Sequence, residues 1–357
     1  MTRVLIIGGY GNFGTFITKS LASEPNIRLI VGGRSLAKAR SLAASLDTVH
    51  KPETLGLDIT GNLASALATT QPDITIHTSG PFQAQDYRVA EACMDAGSHY
   101  IDLADGRAFV AGISQLDQRA RDKGVLVISG ASSVPCLTAA LVDHYRNEFK
   151  ELESLDYGIT TAQKTARGLA TTAAILSYTG KPFTTLIDGE MKAIYGWQDI
   201  HSRRYSGLGR RWLGNCDIPD LALFPDRYPS LKTIRFYAGL ELPLLHWTLW
   251  MLSGLVRVGL VRRLENIAPL LLRTSFLFDR FGTDSSAFHM VLSGIDINGS
   301  SKQLTFELTA REGDGPYIPC MPAILLARKL ANQEISRKGA TPCLDLITLD
   351  EYLSALA

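Results

Sequence analysis

The chain has 357 residues, beyond the size at which one hydrophobic core usually stops growing, so two domains are the natural expectation. Apolar residues at 46% and charged residues at 20% are those of an ordinary globular protein. Lys plus Arg (36) against Asp plus Glu (35) leave a net charge near zero, which argues against nucleic acid or another polyanion as partner.

Cys93, Cys136, Cys216, Cys320 and Cys343 are scattered without a CxxC pair, and the histidines form no HxH or HExxH pattern. Neither a disulfide framework nor a metal site is expected. A reducing cytoplasm fits this usage. The start of the chain lacks the basic residues and long apolar run of an export signal.

In chain order, the first third alternates short apolar strands, at residues 3–7, 28–31, 55–59, 74–77, 100–103 and 125–128, with amphipathic helices. Phe13, Phe16, Ile17 and Leu21 fall at helical spacing, and Val89, Cys93 and Met94 do so in a later helix ending at Gly97. Six strands with helical crossovers predict a Rossmann-type, doubly wound parallel sheet over residues 1–130. After Gly130 the periodicity changes to two: Leu155, Tyr157 and Ile159 alternate with polar residues, as do Ile234 and Phe236. Residues 287–297 and the set Leu304, Phe306, Leu308 flank Asn298-Gly299, which predicts an antiparallel hairpin. With a helix over residues 169–178, the middle segment reads as an α+β domain with a mostly antiparallel sheet.

Residues 242–256 carry no charge apart from His246 and include two tryptophans. The run falls short of the roughly 20 apolar residues that span a bilayer, so a buried or interface helix is favoured over membrane contact. Beyond Pro322 the spacing is helical again, with Ile324, Leu325, Leu326 and Leu330 on one side and a short helix near Asp350.

Gly9, Gly11 and Gly14 form GxGxxG directly after the first strand and at the start of a helix. Gly9 is expected to permit the tight turn, Gly11 to let the backbone approach a pyrophosphate, and Gly14 to let helix and strand pack closely. Tyr10, Asn12 and Phe13 complete the loop. The cofactor expected there is a nicotinamide dinucleotide. The second strand ends at Gly33, Arg34 and Ser35, with Lys38 a turn later and no carboxylate before Asp47. A free ribose 2′-hydroxyl would lack its usual acceptor, whereas Arg34 offers a planar fork to a 2′-phosphate, so NADP is preferred over NAD. A solvated arginine at a helix start is the bland alternative.

Asp58 either meets the adenine amino group or caps the next helix. Ser79, Gly80 and Pro81 follow the fourth strand at the carboxyl edge of the sheet, where such folds bind ligands. Tyr100 and Asp102 flank the fifth strand and are the candidate catalytic pair, since a reductase needs a proton donor and either group serves if its pKa is tuned. Capping and salt bridging compete with that role for each. Cys136 lacks a basic neighbour in sequence and reads as inert.

Residues 6–14 (IIGGYGNFG), 31–35 (VGGRS), 57–59 (LDI), 79–82 (SGPF), 92–106 (ACMDAGSHYIDLADG) and 129–135 (SGASSVP) together resemble the saccharopine dehydrogenase-like oxidoreductases, also called the saccharopine reductase family. The resemblance is specific through about residue 140, and residues 313–331 and 339–343 resemble the family's C-terminal segment. It implies that residues 322–357 rejoin the dinucleotide domain and that residues 131–321 form the substrate and dimer domain of a homodimer. It also implies an NADP-dependent oxidoreductase transferring hydride to or from a C=N or C=C bond of a small or lipid-like substrate.

Within residues 167–172 the family's glycine-threonine helix start is altered, Leu169 replacing a threonine. Arg203, Arg204, Arg210 and Arg211 would suit an acidic substrate, or a solvated loop. The alternative to an enzyme is a non-catalytic NADP-binding scaffold or sensor that meets a membrane or partner through residues 242–256.

Overall fold

The computed structural model describes residues 1–356. They divide into two compact units, Met1–Ala140 joined by the chain from Tyr317 onward, and Leu141–Pro316. The first unit opens with β1 (Thr2–Ile7), α1 (Asn12–Leu21), β2 (Ile27–Gly33), α2 (Leu36–Ser45), β3 (Glu53–Gly56) and α3 (Leu63–Thr70). It continues through β4 (Ile74–His77), α4 (Arg88–Asp95), β5 (His99–Asp102), α5 (Arg107–Ala111), α6 (Asp117–Asp122), β6 (Leu126–Ser129) and the start of α7 (Thr138–Tyr145), within which the boundary falls.

Val4 to Ile7 are buried throughout, as a strand covered on both faces requires. In α1 the residues turned inward are Gly14, Ile17, Thr18 and Leu21, one stripe at steps of three and four. The third strand is shorter than the expected 55–59 and lies earlier. Leu57 still donates its amide to the Gly33 carbonyl at 3.0 Å, but the Asp58 carboxylate then accepts the Thr60 amide at 2.9 Å and turns the chain away.

In the second unit come β7 (Phe149–Thr161), α8 (Leu169–Tyr178), β8 (Pro182–Ile187), β9 (Glu190–Tyr195), β10 (His201–Tyr205), β11 (Gly209–Asn215), α9 (Asp220–Arg227) and β12 (Thr233–Leu240). They are followed by α10 (Pro243–Arg257), α11 (Ala268–Ser275), β13 (Ser286–Asp296) and β14 (Ser301–Ala310). The main sheet has the order β10-β11-β12-β7-β13-β14, and only the β12–β7 pairing is parallel. The β13–β14 hairpin forms across Asn298-Gly299 as its alternation predicts.

The four arginines are not in a loop: Arg203 pairs with Arg211, and Arg204 with Arg210, across β10 and β11. Strand alternation leaves Arg204 and Arg210 exposed and half-buries Arg203 and Arg211. Helix α10 is buried on one side only. His246, Leu249 and Ser253 are buried, while Leu244, Trp247, Met251 and Leu255 are exposed.

The chain then returns to the first unit through α12 (Met321–Ala331), β15 (Gly339–Pro342) and α13 (Leu349–Leu356). Tyr317 stacks on Phe16 of α1 at 4.0 Å, Arg328 pairs with Glu24 at 2.7 Å, and the Tyr352 hydroxyl donates to the Ile318 carbonyl at 2.6 Å. β15 pairs with β6, giving a seven-stranded parallel sheet of order β15-β6-β5-β4-β1-β2-β3. This strand was not foreseen: four residues containing Gly339 and Pro342 have no strand pattern, and Pro is tolerated because β15 is an edge.

One ionic contact organises the second unit. The Glu241 carboxylate, 6% exposed, accepts the Gln163 amide at 2.7 Å, the Thr283 amide at 2.9 Å, the Thr283 hydroxyl at 2.6 Å and the Arg211 guanidinium at 3.1 Å. It thereby ties the ends of β7 and β12 to the start of β13. Breaking a buried pair from one side leaves a desolvated charge, which costs about 3 kcal/mol or more. Arg211→Met is therefore expected to lower the second unit's unfolding free energy by an amount of that order, read as a lower urea midpoint, and an unchanged midpoint would count against this role of Glu241.

Candidate functional site

In the sheet of the first unit the strand order reverses at β1 and β4, which are neighbours although β2 and β3 lie between them in sequence. The chain leaves these two strands in opposite directions, so a crevice opens beyond their carboxyl ends. Gly8 lies there in the left-handed region, with φ of 81°. Its carbonyl accepts the Gly11 amide at 2.8 Å and faces Gly14 so closely that a Cβ at Gly14 would collide with it. A Cβ at Gly8 would in turn press on the Thr78 and Ser79 hydroxyls. The tight turn thus falls on Gly8, not on Gly9 as the motif suggested, because Gly8 turns its carbonyl toward the helix. Gly9 instead donates its amide to the Ile6 carbonyl at 3.2 Å. Thr78, which the sequence did not single out, donates its hydroxyl to the Ile7 carbonyl at 3.0 Å and so joins the loops after β1 and β4.

Gly11 precedes α1 as its N-cap residue, and Asn12 and Phe13 form the first turn, which contains no acidic side chain. The positive end of the helix dipole is therefore not neutralised from within the helix. Tyr10 reaches across to β2: its hydroxyl accepts the Ser35 amide at 2.7 Å, and its ring would meet a Cβ on Gly33 at 2.6 Å. Ser35 caps α2, its Oγ accepting the Lys38 amide at 3.4 Å, which leaves the hydroxyl proton free to point outward.

Arg34 and Lys38 are both exposed but face different hollows. Arg34 lines an open hollow of about 490 Å³ with Gly56, Leu57, Asp58, Gly61 and Asn62. Lys38 lines one of about 330 Å³ with Tyr10, Thr15 and Ser41. Among the described residues no hydrogen bond or ion pair engages the Arg34 guanidinium. Asp58 does not cap α3, whose N-cap position is Asn62. It heads a turn, accepting the amide and the hydroxyl of Thr60. Those two hydrogen bonds hold its pKa below the ordinary carboxylate value, with a smaller contribution from the Arg34 charge.

Ser79, Gly80 and Pro81 are accessible at the carboxyl end of β4, and Gly80-Pro81 is a cis peptide. Gln85 donates its side-chain amide to the Ser79 carbonyl at 2.8 Å, fixing this loop. Tyr100 and Asp102 lie deeper. Neither side chain has surface open to solvent, and Tyr100 belongs to the apolar core formed with Leu5, Val89, Met94 and Val127. Any part these two play in a reaction therefore runs through neighbouring groups.

The Tyr100 hydroxyl meets His77 Nδ1 at 3.0 Å. Burial pushes the His77 pKa down to about 4 and that of Tyr100 well above its ordinary value. One Asp102 oxygen accepts the Ala104 amide at 2.9 Å, the Gly130 amide at 2.8 Å and the Ser129 hydroxyl at 3.0 Å. Burial nevertheless raises its pKa to about 6. Cys136 is buried, in line with an inert reading. Arg167 is held within the second unit, bonded to Asp279 and Ser275 and packed on the Phe276 ring. No group of His, Cys, Asp and Glu able to hold a metal occurs among the described residues.

Residues 4–128, which span this glycine loop and all but the last residue of β6, match the family described as the saccharopine dehydrogenase NADP binding domain. The match covers the glycine loop and six of the seven strands of the first unit's sheet. The likeness of fold extends over the whole chain. Saccharopine dehydrogenase (L-Glu forming) from Saccharomyces cerevisiae superposes with a TM-score of 0.69 at 12% identity, covering 100% of this chain and 97% of the yeast protein. An amine dehydrogenase from Mycobacterium smegmatis superposes with a TM-score of 0.50 at 10% identity, covering 98% and 95%. No curated protein sequence matches the chain.

The geometry makes two outcomes measurable. Gly8→Ala forces an L residue into left-handed backbone against two hydroxyls and is expected to cost about 2 kcal/mol, read as a lower melting temperature. For Asp102, the folded pKa of about 6 lies above the ordinary 3.8, so folding takes up a proton between these values. Its stabilisation is complete below about pH 3.8 and is lost as the pH rises through about 6. Asp102→Asn keeps the acceptor oxygen without the charge. Its stability relative to the parent should therefore rise from pH 5 to pH 8, by about 1.4 kcal/mol. A pH-independent difference would mean that Asp102 does not titrate in this range.

Proposed function

We propose that the chain is an NADP-dependent oxidoreductase in which the first unit holds the dinucleotide. The backbone amides of Gly11, Asn12 and Phe13 would receive the pyrophosphate at the start of α1, where loop glycines and the helix dipole favour an anion. Arg34 and Ser35 would take the ribose 2′-phosphate, with Asp58 at the adenine amino group, while Ser79, Gly80 and Pro81 would border the nicotinamide ribose. When bound, the nicotinamide supplies or accepts hydride. The substrate would present a C=N or C=C bond in a small or lipid-like molecule, in keeping with the saccharopine dehydrogenase type of the first unit. Tyr100 and Asp102 would act as positioning residues, through His77 and the loop that begins at Gly130.

The observation that carries the NADP reading is the Arg34 guanidinium. It makes no hydrogen bond or ion pair among the described residues, lines a hollow with Gly56, Leu57 and Asp58, and lies just past β2, where an NAD site would need a carboxylate. The fluorescence of NADPH and of NADH, each titrated with protein, tests it. NADPH is expected to bind more tightly, and Arg34→Ala to weaken NADPH by roughly thirtyfold, about 2 kcal/mol, with little effect on NADH. Binding of neither dinucleotide would overturn the reading, and equal losses for both in Arg34→Ala would overturn the assignment of Arg34.

A further inference from the structure

Helix α10 wears its polarity inside out. Its buried stripe contains His246 and Ser253: the Ser253 hydroxyl donates to the Gly196 carbonyl at 2.7 Å and accepts from the Gln198 amide at 2.9 Å. His246 Nδ1 accepts the Leu240 amide at 3.3 Å. The opposite stripe, at steps of three and four, is Leu244, Trp247, Met251, Leu255 and Val258, with Leu244 62% and Met251 63% exposed. A helix of a water-facing surface has the reverse arrangement. The apolar character continues past the helix through exposed Leu260, Leu270, Phe276 and Leu277. An exposed apolar helix stripe followed by further exposed apolar side chains marks an interaction site.

The charges beside it have one sign. Arg257, Arg262, Arg263, Arg273 and Arg280 are all exposed. The two carboxylates of the segment are already engaged, Glu265 with Lys181 at 3.5 Å and Asp279 with Arg167. Among the described residues none of the five arginines has a carboxylate partner. Arg257 and Arg280 instead lie over the rings of Tyr195 and Phe281, at 4.2 and 4.5 Å.

A second copy docked on this face about a twofold axis would set arginine against arginine. A bilayer with anionic headgroups answers both features, its acyl boundary taking the apolar stripe and its phosphates the guanidinium groups. Trp247 also lies edge-on to Trp212 and Trp250, at 5.2 and 5.4 Å, a cluster of the amphipathic rings that favour headgroup depth. No described helix is long and apolar enough to cross a membrane.

We infer that α10 and the segment following it, to Phe281, form a docking surface that seats the protein on an anionic phospholipid bilayer, with α10 lying in the plane of the interface. This rests on the second unit alone and is independent of the dinucleotide reading.

The test is sedimentation of the full chain with vesicles of phosphatidylcholine alone and of phosphatidylcholine with phosphatidylglycerol, together with tryptophan emission. The chain should bind the phosphatidylglycerol vesicles with a blue shift and release them at high salt. Two sets of exposed substitutions, Leu244→Ser with Met251→Ser, and Arg262→Glu with Arg263→Glu, should each weaken binding by more than about tenfold with unchanged melting temperature. Absence of binding to the anionic vesicles would overturn the inference. So would a dimer that the Leu244 and Met251 substitutions dissociate while vesicles remain unbound, since the face would then belong to a second copy.

Discussion

The close approach of Gly14 to the carbonyl of Gly8 is the constraint on which the first unit's architecture rests. With any side chain at residue 14, α1 would have to start further from the end of β1, and the amides of its first turn would no longer crowd the crevice between β1 and β4. The same carbonyl holds the Gly11 amide, and the Thr78 hydroxyl reaches the neighbouring Ile7 carbonyl, so two segments distant in sequence share one small volume. The binding geometry follows from what is missing there, a Cβ, more than from any functional group supplied.

What could be read from the sequence was local. The glycine loop, the helix after it, the basic end of β2 and the Asn298-Gly299 hairpin are each specified by residues within a few positions of one another. The features that escaped depend either on partners far along the chain or on short-range hydrogen bonds and contacts that a hydrophobic pattern does not encode. Which of Gly8 and Gly9 takes the left-handed turn is decided by the carbonyl facing Gly14. That Tyr100 and Asp102 share a strand face was legible from their spacing, and α4 from Val89, Cys93 and Met94, but that α3 and α4 pack on Tyr100 was not. Asp58 looked like part of a strand because Leu55, Leu57 and Ile59 alternate, yet its own carboxylate ends the pairing by capturing the Thr60 amide. In α10 the polar pair His246 and Ser253 was visible at helical spacing, but its burial is set by Gln198, Gly196 and Leu240, which composition does not reveal.

The second unit places its buried polar groups at the margins of its sheet. Glu241, just past β12, draws amides from the ends of two other strands and the charge of Arg211 from a third, while Tyr205 and His289 meet at 2.8 Å across the sheet. Such contacts fix register, because a shifted strand would part the Glu241 carboxylate or the His289 Nδ1 from its partner.

The return of the chain from the second unit to the first has a consequence in time. During synthesis β6 is complete long before α12 and β15 exist, so its outer edge stays unpaired while the whole second unit is being made. An open strand edge is a template for association with other chains. The nascent protein therefore carries an open strand edge through most of its production, and closure of that edge is among the last events of folding.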